Sequence, residues 1–577
     1  MAALALECGS CHAGTAPGAR HTPTMVNADR YVAAYFDAFP DEATFAGASA
    51  GPHDRLPDLS SAAREAWQAK EDSTWRELVT LDTTQLPSGS VDAVTYGFLK
   101  EWVRNNRGLR ICRMASWNVS PTANGRLSTL TGLPSVQPLG SPEKDGAALR
   151  RYAQVPRYVD QDIANLREGL ARGYSAATVD VQAVIRQLDA LLASPITESP
   201  FAAMAPRGAG QFRSRIEALE TSAIRPALTR YRDFLRDEYL AKARDAVGVS
   251  NNPDGAACYR AAIRYHSTVD IAPEEVHRIG LEQMQRIRGE MQVIDSRSFG
   301  TGDVDAVLKR LRTERRYLFS GREGMLGVAT AAVGRARHAL PRWFGILPRA
   351  SMKIEPAPVF ADDDAYYNPP AEDGSRPGIF YVNLNHAGTE PRAGLESTTF
   401  HESYPGHHLQ MAIALERRGL HAISRYFFLS GFTEGWGLYS EQLADEMGLF
   451  TSDVDRMGRL SWAAVRAARL VVDSGMHALG WSRQQAIDYL LANTTLSPRN
   501  AAVEIDRYIA NPGQATAYML GNLEIRNLRE MAKARLGKAF DIRAFHDRVL
   551  EDGSVPLVML RQKIERWVNE KDRKTPP

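Results

Sequence analysis

Apolar residues recur at helical spacing along most of this 577-residue chain. The clearest stripe is formed by Val181, Val184, Ile185, Leu188, Leu191 and Leu192. An α-helix returns to the same face every ~3.6 residues, so this spacing predicts amphipathic helices. Pro273, followed by two glutamates, is typical of a helix start, because proline fits the first turn and acids complement the helix dipole. We therefore predict a mainly α fold.

One segment, residues 352–388, interrupts the helical rhythm. It carries several prolines and a turn at residues 372–375, and it continues into a short run at 378–384 that is rich in β-branched and aromatic residues. Such runs are typical of strands. We expect a small sheet or hairpin directly before the histidine-rich segment that follows.

The composition excludes some classes of function. The net charge is only +2, and the chain is 44% hydrophobic and 24% charged, as in an ordinary globular protein. Because cations and anions are balanced, we expect neither nucleic acid nor an acidic membrane as a partner. No run reaches the ~20 apolar residues that a membrane span needs. We predict a flexible tail at residues 1–25 and a single domain at 26–577.

The four cysteines are too few for a disulfide framework in a chain of this length. We therefore predict a reducing compartment, the cytoplasm, unless the true N-terminus carries a signal peptide for the periplasm or for secretion. Cys8 and Cys11 precede His12 in the pattern of haem c attachment. The surroundings are rich in glycine and proline and form no packed pocket, so we expect no haem there.

The strongest chemical signal is the segment at residues 401–408. Zinc hydrolases usually place two histidines at positions i and i+4 on one helix face, with a glutamate beside the first as general base. Here Glu402 follows His401, but position i+4 is Pro405, which cannot bind a metal. A regular helix would therefore bring no second histidine to the same ion.

The proline itself indicates how the pattern is restored. Pro405 removes a backbone hydrogen bond and Gly406 permits unusual dihedral angles, so the helix should bulge here. Looping out these two residues restores the i+4 relation for His407. We predict His401 and His407 as metal ligands, with His408 as the alternative second ligand or as a supporting group.

A carboxylate from a nearby helix should complete the ligand set. Glu434 has Phe432 and Trp436 as near neighbours, surroundings that disfavour a solvated acid. A buried carboxylate needs a cation, and a zinc ion supplies one. Glu441, two turns further along the same face, is expected to orient a ligating histidine. The prediction is one zinc ion per chain, bound by three protein ligands with an open fourth position.

Several strings spread along the chain carry a family resemblance. They are DAYYNPPAEDGSRPGIFYVN, HESYPGHHLQ, EGWGLYSE, RLVVDSGMHALGW, PGQATAYMLG, FHDRVLEDGSVPL and, further upstream, APEEVHRIGLEQMQRIRGEM. They resemble the bacterial domain-of-unknown-function family numbered 885 over nearly the whole chain after the N-terminal tail. In motif order this family is similar to helical gluzincins, zinc peptidases such as carboxypeptidase Taq, thimet oligopeptidase and angiotensin-converting enzyme.

The resemblance implies a mainly helical fold of two lobes, about 26–345 and 346–577, on either side of a deep central channel. It also implies a substrate-binding edge strand just before the zinc helix, a place that the run at 378–384 occupies. The inserted Pro-Gly departs from the plain H-E-x-x-H pattern, similar to the single extra residue of dipeptidyl peptidase III. That departure leaves open whether His407 or His408 binds the metal.

By the same resemblance, Tyr518 matches a tyrosine that helical gluzincins use beside the scissile carbonyl. His477, four residues after Asp473, is expected to be a second hydrogen-bond donor held by that acid. The alternatives are a core aromatic residue for Tyr518 and a satisfied core histidine for His477.

Other side chains are candidates for contact with a substrate. Three arginines could bind a substrate carboxylate, although at helical spacing they are more often salt-bridge partners. They are Arg466, Arg469 and Arg507. Three tyrosines could line the channel: Tyr366, Tyr367 and Tyr381.

Together these residues predict zinc-dependent hydrolysis of peptide bonds. Glu402 would act as general base towards a water molecule, and Tyr518 with His477 would stabilise the oxyanion. The substrate would be a peptide or a small peptide-like molecule, held along the edge strand. Two alternatives stay open: a zinc amidase for a modified amino acid or natural product, and a non-catalytic helical binding protein with a vestigial metal site. The sequence indicates neither the end preference nor the oligomeric state.

Overall fold

The computed structural model describes residues 22–48, 51–122, 125–205, 210–357, 365–385 and 387–573. Within these ranges helices dominate and three short strands form one sheet, which confirms the predicted mainly α class. The first helix begins at Pro23, with the Thr22 hydroxyl accepting a hydrogen bond from the Met25 amide, so helix begins inside the tail predicted for residues 1–25. The haem-like segment at residues 8–12 lies outside the described residues.

The helices that precede the sheet are mostly amphipathic. They are α1 (Pro23–Ala38), α2 (Pro40–Phe45), α3 (Ser61–Thr80), α4 (Val91–Leu109), α5 (Arg126–Gly132), α6 (Pro142–Tyr152), α7 (Val155–Ala171), α8 (Thr178–Ala193), α9 (Pro200–Ala203), α10 (Gly210–Leu219), α11 (Arg225–Phe234), α12 (Gly255–Ser267), α13 (Pro273–Ile294), α14 (Val304–Thr313) and α15 (Arg322–Ala339). Helix α13 starts at Pro273 with two glutamates in its first turn, as the sequence predicts.

The helices that follow the sheet carry most of the predicted site residues. They are α16 (Leu395–Glu402), α17 (His407–Glu416), α18 (Ala422–Tyr426), α19 (Ser430–Glu446), α20 (Asp453–Ala478), α21 (Arg483–Asn493), α22 (Pro498–Ala510), α23 (Ala517–Leu536), α24 (Ile542–Leu550) and α25 (Leu557–Asp572). Helix α20 begins where the Ser452 hydroxyl accepts a hydrogen bond from the Asp455 amide, and it runs for 26 residues.

The sheet consists of β1 (Met352–Pro356), β2 (Ala365–Asn368) and β3 (Gly378–Val382). Strand β3 pairs in parallel with β1 and antiparallel with β2, and all of its residues are buried. The strand just before the histidine segment is therefore an inner strand, and the prediction that it forms a substrate-binding edge is wrong. Its backbone groups are already engaged on both sides. Among the described strands, the outer positions belong to β1 and β2.

Hydrophobic cores connect the first and second halves of the chain. The largest core joins α1, α3 and α4 to α16–α19 and α23–α25, and a second core joins α12–α14 to α20–α22. A third core lies between residues 56 and 240 and belongs to the N-terminal half. The first two cores cross residue 345, so packing continues across the predicted boundary between the two lobes.

A cavity of about 2000 Å³ is lined mostly by residues of the N-terminal half, from α1, α3, α7 and α8 among other elements. Its lining also includes Tyr366 and Asn368 of β2 and Arg499 and Val503 of α22.

Cys112 and Cys258 form a disulfide that joins the turn after α4 to helix α12, across 146 positions of sequence. Both cysteines are buried. Disulfides persist in oxidising compartments, so this bond argues against the reducing compartment predicted from the small number of cysteines. Within the part of the chain that the structure describes, no helix is long and apolar enough to cross a membrane.

Candidate metal centre

The histidine segment is folded as two helices rather than one. Helix α16 ends at Glu402 and α17 begins at His407, and the residues between them leave helical geometry. A Cβ atom on Gly406 would lie 1.9 Å from the carbonyl oxygen of His401, so only glycine fits this reversal. The interruption is longer than the predicted two-residue bulge. As predicted, however, it brings the two histidines together: the ring centroids of His401 and His407 lie 4.5 Å apart.

His401 is held in one orientation by α19. Its Nδ1 lies 2.8 Å from Glu441 Oε1, and the other oxygen of Glu441 accepts a 2.6 Å hydrogen bond from the Ser397 hydroxyl. His401 is only 2% exposed, so these contacts are shielded from water. A carboxylate only accepts hydrogen bonds, so Nδ1 carries a proton, and Nε2 faces Glu434. Glu441 lies where the predicted supporting role requires it.

Glu434 of α19 contacts both histidines. Its Oε2 is 3.3 Å from His401 Nε2 and 3.4 Å from His407 Nε2. Ligand atoms bound at about 2.0–2.1 Å around one tetrahedral ion are about 3.3 Å from each other, so these separations suit a zinc ligand set. A protonated His401 donates from Nε2 to Glu434, and a zinc ion would replace that proton and accept a lone pair from each of the three atoms. The predicted ligands His401, His407 and Glu434 therefore fit a zinc ion.

Glu402 lies beside these atoms, at the end of α16. Among the described residues, one group of histidine, cysteine and acidic side chains is compact enough to hold a metal: His401, Glu402 and His407 have ligand atoms within 4.8 Å of one another. Both glutamates are thus near the same point. Of the two, Glu434 has the oxygen that contacts both imidazoles. Burial raises the pKa of Glu402, although His407 and His401 oppose the shift.

Negative charge is concentrated around His401. Burial alone would lower its pKa, but the hydrogen bonds with Glu434 and Glu441 outweigh burial and raise the pKa to about 9. The carboxylates therefore favour positive charge at this point, and the same groups would stabilise a divalent cation.

His408 has partners outside the cluster. The Tyr367 hydroxyl lies 2.7 Å from its Nδ1, and its Nε2 lies 3.2 Å from the carbonyl oxygen of Ala350. Burial lowers the pKa of His408 to about 4. With both nitrogens engaged, His408 connects α17 to the sheet. Of the two candidates, it is His407 that the geometry brings to the other ligands.

Tyr518, near the start of α23, lies against the same cluster. Its ring stacks on that of His401 with a centroid separation of 6.5 Å, and its hydroxyl is 3.5 Å from the side-chain amide of Gln514. Burial and the charge of Glu434 raise the pKa of the Tyr518 phenol. The phenol therefore keeps its proton and can donate it in a hydrogen bond, as the predicted role requires.

His477 is engaged elsewhere, in the interior of the helical core. Its Nδ1 accepts a 3.0 Å hydrogen bond from the Val249 amide, and its Nε2 lies 3.0 Å from the carbonyl oxygen of Tyr508. Asp473, expected to hold His477, instead accepts a hydrogen bond from the Tyr259 hydroxyl. Burial lowers the pKa of His477 to about 3. Neither ring nitrogen is free to donate to a substrate, so these contacts correspond to the alternative of a satisfied core histidine.

Comparison with known proteins identifies the family to which the chain belongs. Residues 40–564 match the family described as "Bacterial protein of unknown function (DUF885)". The chain belongs to the DUF885 family. None of the curated proteins matches it.

Two solved structures resemble this DUF885 chain. A "putative lipoprotein" from Colwellia psychrerythraea is 27% identical, with a TM-score of 0.88 over 95% of this chain and 100% of that one. A "putative lipoprotein of unknown function" from Shewanella oneidensis is 16% identical, with a TM-score of 0.69 over 93% of this chain and 98% of that one. The second likeness supports the fold alone.

Glycines set the distance between helices α19 and α23 of the DUF885 fold. A Cβ atom on Gly435 would lie 2.5 Å from the carbonyl carbon of Gly521, and one on Gly521 would lie 1.8 Å from the carbonyl oxygen of Gly431. On the same helix, a Cβ atom on Gly437 would come within 2.6 Å of the His401 ring. The two backbones therefore touch directly, which allows the ligand on α19 and the tyrosine on α23 to approach one histidine.

Two further residues beside the candidate site were not identified from the sequence. Ser397 supports Glu441, and Gln514 contacts the hydroxyl of Tyr518. Each lies four residues before a predicted site residue, His401 or Tyr518. Since a helix brings positions i and i+4 to the same face, that spacing was the available signal.

The large cavity and the ligand cluster do not coincide. The residues that line the cavity include Tyr366 and Asn368 of β2 but none of the ligands. His401 and His407 are buried, while the side chain of Glu434 remains 20% exposed. Of these three side chains, that of Glu434 is therefore the most accessible to solvent.

Proposed function

We propose that this protein is a zinc-dependent hydrolase that cleaves peptide bonds. The observation that carries the proposal is the convergence of Glu434 Oε2 on the Nε2 atoms of His401 and His407, at 3.3 and 3.4 Å. Two histidines and one glutamate form a ligand set of catalytic zinc sites, which leave a position open, whereas structural zinc sites have four protein ligands. Glu402, next to the first ligand, supports hydrolysis in particular.

A bound zinc ion would supply Lewis acidity, which polarises the scissile carbonyl and makes a water molecule easier to deprotonate. Glu402 takes the proton from that water on its carboxylate and returns it to the nitrogen of the leaving amine. Tyr518 donates its phenolic O–H to the oxyanion of the tetrahedral intermediate. Glu441 accepts a hydrogen bond from the Nδ1–H group of His401 and so keeps the ring in its ligating orientation.

We also infer that the protein works in an oxidising compartment, the periplasm or the cell exterior. The buried Cys112–Cys258 disulfide supports this location. The similar Colwellia psychrerythraea protein is described as a "putative lipoprotein", which also supports export. Fractionation of cells that express the natural full-length protein tests the inference, and recovery in the cytoplasm alone would contradict it.

The decisive experiment for the function combines metal analysis with a peptide digest. Protein purified without added zinc is expected to contain close to one zinc per chain, and the zinc-loaded protein should cleave members of a mixed peptide library. Zinc without cleavage of any peptide would favour an amidase for modified amino acids or natural products. Absence of bound metal, even after zinc is added, would favour a binding protein with a vestigial site and would refute the proposal.

A further inference from the structure

Three arginines surround Tyr518 and differ in how they are paired. Arg507 donates to Gln514 and to Glu504, so its charge has a carboxylate partner. Arg469 also donates to Glu504, at 2.8 Å, and its guanidinium carbon lies 4.2 Å from the centre of the Tyr518 ring. Arg466, one turn earlier on α20, has its guanidinium carbon 6.0 Å from the same ring. Two guanidinium groups therefore face the tyrosine that lies against the metal cluster.

Arg466 and Arg469 have buried nitrogens without an acceptor. Among the described residues, Nε and Nη1 of Arg466 and Nη1 of Arg469 have no hydrogen-bond partner. The two residues are only 6% and 4% exposed. A buried N–H group without an acceptor is costly even where a carboxylate offsets the charge, since it has lost its hydrogen bonds with water without compensation. This arrangement points to an anionic ligand that supplies the missing acceptors.

Glu441, the carboxylate next to Arg466, does not supply the missing acceptors. Glu441 is 3.8 Å from Arg466, which is longer than a hydrogen bond, and its oxygens already accept from His401 and Ser397. The face of Arg466 instead lies 4.2 Å from the centre of the Trp462 ring, an arrangement that fixes the guanidinium plane without using its N–H groups. The plane is thus held in place while Nε and Nη1 stay available to an acceptor.

We propose that Arg466 and Arg469 bind the terminal carboxylate of a peptide substrate. The inference rests on the proposed function, because it names the end of the peptide that the zinc hydrolase would cleave. The centre of the Tyr518 ring lies 6.5 Å from that of His401 and 4.2 Å from the guanidinium carbon of Arg469, and the two distances together bound the separation of Arg469 from His401. The extended chain advances by about 3.3–3.6 Å per residue, so at most about three residues fit between the metal cluster and the arginines. The enzyme would release a single residue or a very short peptide from the carboxyl end.

Binding can be measured on intact peptides in the Glu402→Gln protein, in which hydrolysis should be slowed by roughly 10²–10⁴-fold. Two pools of N-acetylated pentapeptides with randomised sequence, one with free carboxyl ends and one with amidated ends, are equilibrated with zinc-loaded protein by dialysis and quantified by mass spectrometry. We expect the acids to be retained at least tenfold better than the amides, because a charge-assisted bidentate contact is lost on amidation. Equal retention of the two pools would overturn the inference.

Substitution of the arginines tests whether they cause the preference for free carboxyl ends. Adding Arg466→Gln or Arg469→Gln should bring the ratio of acid to amide retention close to one. Arg456→Gln is the matched control, since Arg456 lies on the same helix but pairs with Asp445 and Asp453. The control should keep the full preference. A preference that persists in both Arg466 and Arg469 variants would refute the assignment. Melting temperatures show whether each variant is folded, and only folded variants are compared.

The cleavage products separate failure of this inference from failure of the proposed function. Hydrolysis of both pools at internal bonds, with no preference for the carboxyl end, would leave the zinc hydrolase standing and remove the carboxylate site. Preferential binding of acids without any hydrolysis by the wild-type protein would support the carboxylate site and refute the zinc hydrolase.

Discussion

The candidate metal cluster of His401, His407 and Glu434 and the helical core both bury histidines, but they give the rings different partners. In the cluster, His401 and His407 turn Nε2 towards Glu434, a charged carboxylate. In the core, both ring nitrogens contact neutral hydroxyl, amide or carbonyl groups. The core histidines of this kind are His408, His477 and His546.

The electrostatic consequence separates the two regions further. The pKa of His401 is raised to about 9, whereas burial lowers the pKa of His477 and of His546 to about 3. All three rings are buried, so burial does not distinguish a ligand from a core residue. What distinguishes them is a carboxylate partner, because it supplies the charge that a cation needs. The following substitutions test this difference, in order of decreasing effect on activity.

Neighbouring histidines give the sharpest test. His407→Ala removes a ligand, so bound zinc should fall by more than the ~10–100-fold that loss of a supporting group causes, and hydrolysis should become undetectable. His408→Gln should retain zinc and activity, with a lower melting temperature because the contacts to Tyr367 and Ala350 are weakened. Metal analysis and melting curves of the two variants, compared side by side, check this. Loss of zinc from the His408 variant alone would reverse the assignment.

Glu402 tests whether a carboxylate in the cluster can be removed without loss of metal. Glu402→Gln keeps the shape of the side chain but cannot take a proton from water. We expect zinc content to be unchanged and kcat to fall by roughly 10²–10⁴-fold. Steady-state kinetics on a peptide that the wild type cleaves, together with zinc analysis, measure both. Near wild-type hydrolysis would mean that another group is the base.

Substitution of Tyr518 tests whether a residue beside the cluster takes part in the reaction. Tyr518→Phe keeps the stacking on His401 and removes only the phenolic donor. If that donor stabilises the oxyanion, kcat should fall by roughly 10²-fold with KM, zinc content and melting temperature little changed. An unaltered kcat would make Tyr518 a packing residue.

His477 should affect stability alone. His477→Phe fills the same space but leaves the Val249 amide and the Tyr508 carbonyl without a partner, which costs about 1–3 kcal/mol for each buried group. The melting temperature should drop by several degrees, with zinc content and kcat/KM unchanged at a temperature where the variant is folded. A large fall in kcat/KM of folded, zinc-loaded protein would return His477 to the active site.

The helices and the ligand motif could be predicted because they depend on local spacing. The stripe from Val181 to Leu192 lies within one helix, and Glu402 follows His401 directly. Whether His407 or His408 faces the cluster depends on the dihedral angles of the residues at 403–406, which sequence patterns do not specify.

Long-range partners account for the errors. The i+4 spacing of Asp473 and His477 suggested a pair, but Asp473 bonds to Tyr259, a residue 214 positions away in sequence. Strand β3 became an inner strand because Met352 of β1, well upstream, aligns with Gly378. The disulfide likewise joins cysteines 146 positions apart. None of these contacts has a periodic signal in the sequence.

The contact between α19 and α23 has a consequence for how tolerance to substitution should be interpreted. Gly435 and Gly521 have no functional group, yet even alanine at either position would collide with the opposite backbone and push the Glu434 and Tyr518 helices apart. In a library of all single substitutions selected for activity, these glycines should be as intolerant as the zinc ligands. A site inferred only from such intolerance would therefore include residues whose contribution is the absence of a side chain.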